Sequence, residues 1–86
     1  MRYRIKIITK AERDIDAVTG HDFDAVKKRI LFLSENPRPF GCKKLTDEGG
    51  YRIRSGDFRI LYRIDDTAKE VIIYRVKHRK EVYRQR

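Results

Sequence analysis

Seven side chains in the C-terminal half of this chain have the types that handle a phosphodiester: Arg52, Arg54, Arg59, Lys77, His78, Arg79 and Tyr83. Guanidinium groups grip phosphate oxygens through a bidentate fork. A tyrosine can stack on a base or position a hydroxyl, and single-stranded RNA is commonly read by such stacking. No carboxylate pair stands among them to hold magnesium. RNA needs no metal to be cut, because its own 2′-hydroxyl can attack the adjacent phosphorus in line. The protein must then help remove the 2′ proton, stabilise charge growing on the phosphate oxygens, and protonate the leaving 5′ oxygen. Arginines suit the second task, which usually contributes most to the rate, while acid–base help adds roughly 10²–10⁴-fold. Histidine is the type that exchanges a proton near neutral pH, so His78 is the expected acid or base. Lys77 would serve only where like-charged neighbours disfavour its protonated form. Each of these residues, taken singly, also fits an ordinary solvent-facing side chain. Their convergence on one surface is what would make a site.

That convergence depends on strand parity. The run YRIRSGDFRILY, residues 51–62, alternates polar and apolar positions on both sides of a Ser55-Gly56-Asp57 turn, the period-2 pattern of a half-buried hairpin. Tyr51 and Ile53 take one face, opposite Arg52 and Arg54; Phe58, Ile60, Tyr62 and Ile64 take one face, opposite Arg59, Leu61 and Arg63. A guanidinium is costly to bury unpaired, so the arginine face is expected to meet water or an anion. Ahead of the hairpin, Tyr3 to Ile8 reads as a strand. A capping box at Thr9 and Glu12 is expected to open a helix carrying Ala11, Ile15 and Val18, with Gly20 as its C′ residue. Asp22 is expected to cap a second helix striped by Phe23, Val26, Ile30 and Leu33 and ending near Asn36, before Pro37. Residues 36–50 read as one long loop carrying Arg38, Lys43 and Lys44, the two lysines being either RNA contacts or a solvated loop surface. After a turn at Asp65–Ala68, Val71–Val76 is a strand apolar enough to be covered on both sides, followed by a basic tail. The expected order β-α-α-β-β-β gives an α+β domain: an N-terminal strand, a helical hairpin and a three-stranded antiparallel meander, in one sheet with both helices on one face.

At 86 residues the chain suits one domain with a modest core. Twenty-two Lys+Arg against thirteen Asp+Glu give a net charge of +9, which favours an anionic partner. No apolar run approaches a membrane span, and the N-terminus lacks a signal-peptide core, so a cytoplasmic location with no membrane contact is expected. The lone Cys42 forms no intrachain disulfide, no Cys/His spacing suits zinc, and no cofactor is implied.

The run SENPRPFGCKKLTDEGGYRIRSGDFRILYRIDD, followed after one strand by VKHRKEVYR, strongly resembles the RelE/ParE toxin superfamily, and its RelE-like branch in particular. The likeness extends from the Tyr3 strand to Tyr83-Arg84. It implies a toxin of a type II toxin–antitoxin pair: a metal-independent, ribosome-dependent endoribonuclease that cuts mRNA in the decoding site, restrained by a cognate, acidic antitoxin. By the same likeness, basic strand residues fall on Arg52 and Arg54, and the arginine that holds the scissile phosphate falls on Arg59. An arginine after the last strand falls on Arg79, or on Lys77 with a shift of two, and the RNA-stacking tyrosine falls on Tyr83. His78 falls where several members carry an imidazole. The familiar pattern has a lysine, proposed as general base, where this chain has Arg54, and an arginine is a poor base. The implied division of labour has Arg54 and Arg59 stabilising the phosphorane, His78 moving a proton, Arg79 assisting the leaving group and Tyr83 orienting the nucleotide. Two rival readings share the fold: a ParE-like poison of DNA gyrase, and a non-catalytic toxin retained only as an antitoxin partner.

Overall fold

A computed structural model describes residues 2–45 and 49–80 of the chain. Its element order is β1 (Arg4–Ile7), α1 (Thr9–Asp16), α2 (Gly20–Phe32), β2 (Lys43–Lys44), β3 (Tyr51–Ser55), β4 (Phe58–Asp65) and β5 (Glu70–His78). The five strands form one sheet in the order β1-β5-β4-β3-β2. The meander β3-β4-β5 is antiparallel, whereas β1 lies parallel to β5. The two helices carry the chain from β1 at one edge to β2 at the other, and the meander then returns β5 to lie beside β1.

Both helices bury their apolar stripes on the same side. Ala11 and Val18 from the α1 region join Val26, Ile30 and Leu33 from the α2 region, and all five pack with Ile53, Ile60, Tyr62, Val71, Ile73 and Val76. The expected α2 stripe is therefore core, with Phe23 packed against its margin.

Helix entry differs from the expectation in one consistent way: each cap lies one or more residues from its predicted place. The pairing of β1 with β5 continues through Ile8, whose amide donates to the Ile73 carbonyl. Ile8 is thus held extended as the N-cap, and Thr9 becomes the first helical residue with no side-chain cap bond. Likewise Thr19 is the N-cap of α2, and Asp22 sits inside its first turn, where its charge still complements the helix dipole. Gly20 opens α2 rather than closing α1, and it does so at φ +64, a backbone state that glycine adopts without steric cost.

The long loop also contains structure that alternation alone does not reveal. Lys43 and Lys44 form the short edge strand β2, in register with Arg52 and Tyr51 of β3. A turn closed by the bond from the Cys42 amide to the Pro39 carbonyl precedes it and brings the chain alongside β3.

Candidate nucleic-acid interface

Register decides what the basic residues share. In β3 and β4, Arg54 stands directly opposite Arg59, and in β4 and β5, Arg59 stands directly opposite Lys77. Three cations therefore form one row across three adjacent strands, on the face turned away from both helices. The register thus concentrates positive charge at one place on this face. Two residues further along the strands, Lys43 and Arg52 form a second row leading to Leu61. The expected grouping of Arg52, Arg54 and Arg59 on one face is what the strands display.

Burial within the face is uneven. Arg54 is exposed and Arg52 half-buried, but Arg59 retains only 6% of its accessible surface. The expectation of a uniformly open basic face is corrected at this residue, which lies sunk between its flanking strands. A donor held there meets a phosphate with less competition from water than one on the surface.

Arg79 is brought to the same place by the hairpin turn. Its backbone amide donates to the Asp57 carbonyl at 2.7 Å, and its guanidinium lies 3.8 Å from the Asp57 carboxylate. Arg54, Arg59 and Arg79 then line a cleft of about 180 Å³ together with Gly56, Asp57 and Phe58. The turn that shapes this cleft needs Gly56, whose φ of +60 at the first loop position matches a tight hairpin.

His78 goes elsewhere. The expected tail begins after Val76, but β5 runs on to His78, and alternation applies to its last residues too. His78 is in register with Phe58, not with Arg59. It therefore lies on the helix side of the sheet, with its ring edge-on to Phe58 at 5.1 Å. There it lines a separate cavity with Arg13, Asp14 and Val18. The expectation that His78 joins the arginine face is thus corrected, and Lys77 occupies that position. Lys44, in register with Tyr51, likewise faces away from the row that Lys43 extends. Tyr83 lies outside the described residues.

The parity at Lys77 follows from a bulge that the sequence pattern does not signal. Val71 and Ile73 face the core, and unbroken alternation would send Arg75 and Lys77 there as well. One extra residue, Tyr74, shifts the register between β4 and β5, so that Val76 faces the core and Lys77 faces the basic row. Asp14 of α1 fastens this point, accepting from the Val76 amide at 2.9 Å and from Arg75 Nε at 2.7 Å. Tyr74 itself reaches across toward Gly50, where an added Cβ would come within 2.8 Å of its hydroxyl and 3.1 Å of the Tyr62 carbonyl.

The loop before β2 is tied to the sheet by buried prolines and side-chain hydrogen bonds. Pro37 and Pro39 are buried, and the Pro37 carbonyl accepts from the Tyr62 hydroxyl at 2.7 Å. Arg38 donates to Asp66 at 2.9 Å and to the Tyr51 hydroxyl at 3.1 Å, while Tyr3 donates to Asp66 at 2.7 Å. Burial pushes the Tyr62 phenol well above the usual tyrosine range. The hydrogen bond from Arg38, then that from Tyr3, holds the Asp66 carboxyl below the usual carboxylate range.

With this geometry in place, likeness to known proteins is informative. Residues 5–83 match the family described as ParE toxin of type II toxin–antitoxin system, parDE. Toxin RelG of Mycobacterium tuberculosis is 38% identical over 87 residues, covering 98% of this chain and 99% of that protein. The toxin–antitoxin complex RelBE2 from Mycobacterium tuberculosis contains a chain of 34% identity and TM-score 0.81, with 91% of this chain and 92% of that one covered. The archaeal RelE–RelB complex from Pyrococcus horikoshii gives 27% identity and TM-score 0.81, over 92% of this chain and 97% of that one. The chain belongs to the RelE/ParE superfamily, the toxins of type II toxin–antitoxin systems.

Proposed function

We propose that this toxin is an endoribonuclease that cuts messenger RNA in the ribosomal decoding site by 2′-hydroxyl attack, and that a cognate acidic antitoxin restrains it. The observation that carries the reading is the row Arg54–Arg59–Lys77, with Arg79 closing the cleft beside it. Such a row sets guanidinium and ammonium donors side by side on one face, the donor types that grip a phosphodiester. The named relatives support the antitoxin part of this reading, since RelBE2 is a toxin–antitoxin complex and the archaeal structure is a RelE–RelB complex. A net charge of +9 suits both an RNA and an acidic restraining protein.

In this mechanism Arg59 and Arg54 hold the non-bridging oxygens as charge grows on them, and Arg79 lies beside the leaving oxygen. The register favours Lys77 over His78 for proton movement, because Lys77 shares the face of Arg59. Tyr83 keeps its proposed role of orienting the nucleotide. The test is toeprinting on programmed ribosomes. Arg59→Ala is expected to slow cutting roughly 10²–10³-fold, the scale of one lost transition-state donor, and Lys77→Ala to slow it at least tenfold, while His78→Ala keeps most activity. Full activity in Lys77→Ala with loss in His78→Ala returns the proton to the histidine. The family description favours a second reading, a ParE-type action on DNA gyrase. Trapped gyrase–DNA cleavage complexes without any mRNA cuts would establish it in place of the first.

A further inference from the structure

A second, larger cleft adjoins the first and shares one wall with it. It measures about 400 Å³ and is lined by Arg29, Phe40, Lys43, Arg52 and Arg54 among others. Arg54 lines both clefts, so a chain lying across Arg54 would occupy the two in succession. We infer that this second cleft is a nucleotide subsite, in which Phe40 stacks on the base next to the scissile bond and Arg29 holds that nucleotide's phosphate. The inference rests on the endoribonuclease reading and names the residues that extend its substrate track.

Phe40 carries the argument. It is the most exposed large apolar residue described, at 102% of its reference surface, a poor place for a phenyl ring with nothing to contact. Mobility does not account for it. Pro39 beneath it is buried, the turn is closed by the Cys42 amide, and Gly41 holds φ +95 at the corner. That geometry matches a tight turn with glycine at its third position. The Arg38 and Tyr62 bonds on the preceding residues fix the whole loop to the sheet. The fold therefore holds the Phe40 backbone in a closed turn and presents its ring beside a cleft walled by four cations. An aromatic platform next to a cationic groove suits a single-stranded nucleic acid, where every base offers a face and every linkage a negative charge. Arg29 adds a donor from the exposed side of α2, whose Val26 and Ile30 face the core.

The test is single-turnover cutting of messenger RNA on programmed ribosomes over a range of toxin concentrations. Phe40→Ala and Arg29→Ala are each expected to raise the half-saturating concentration roughly tenfold, the scale of one lost stack or contact, with little change in the plateau rate. Phe40→Trp is expected to restore wild-type behaviour. A message with an abasic nucleotide beside the cut should reproduce the Phe40→Ala defect in wild-type protein and add nothing to it in the variant, which a merely structural role would not do. If Phe40→Ala cuts with unchanged half-saturation while Arg59→Ala still lowers the plateau, the subsite is wrong and the nuclease reading survives. If the wild-type protein cuts nothing, both fall. A Phe40→Ala protein that cuts normally but binds an acidic antitoxin less tightly assigns the cleft to a protein partner and also overturns the subsite.

Discussion

Arg59 condenses the problem this protein solves. An arginine at 6% exposure stands in register between Arg54 and Lys77, so three cationic side chains meet across adjacent strands at one point of the sheet. Asp66 has a different role. It serves stability, accepting from Arg38 and Tyr3 where the loop meets the turn after β4. Because the folded protein depresses this carboxyl, its contribution is complete above the ordinary aspartate pKa of about 3.9 and fades as pH falls through the lower folded value. Asp66→Asn is therefore expected to flatten the acid side of the melting-temperature profile below about pH 4. Melts from pH 2 to 7 check this, and an acid limb as steep as the wild type's would refute the linkage.

At the scale of the element, β5 decides the site. Its bulge at Tyr74 turns Lys77 toward the arginines and His78 toward Phe58. Beyond the bulge the Val76 amide turns to Asp14 of α1, which satisfies it while also pairing with Arg75. Asp14→Ala would leave a part-buried guanidinium and an amide without their shared acceptor. The expected loss is about 2 kcal/mol, near 10 °C in melting temperature for a domain of roughly this size. Cutting is expected to weaken as well, since Lys77 depends on the same register. A thermal melt of Asp14→Ala within about 2 °C of the wild type would show that the bulge is held by other contacts.

Over the whole molecule, the net charge of +9 and the basic rows act together. They are expected to draw single-stranded RNA with an affinity that falls as salt rises, the logarithmic slope losing about 0.7 for each phosphate contact removed. Filter binding of a single-stranded RNA oligomer by wild-type and Arg59→Ala protein, each over a salt series, measures this; equal slopes would place Arg59 away from the backbone. Period-2 alternation made the hairpin faces legible from the chain alone, because residues 51–54 set Tyr and Ile against Arg at every step and residues 58–62 keep that rhythm except at Leu61. The helical stripes were equally plain. Neither the bulge nor the edge strand β2 was legible, since one extra residue leaves no compositional mark and a two-residue strand forms only where a partner strand is waiting. The chain by itself therefore determined which side chains were available and which strands would be half-buried. Tertiary pairing alone decided that Lys77, and not His78, stands beside Arg59, because a register between distant strands is set by packing and hydrogen bonds that no local pattern records.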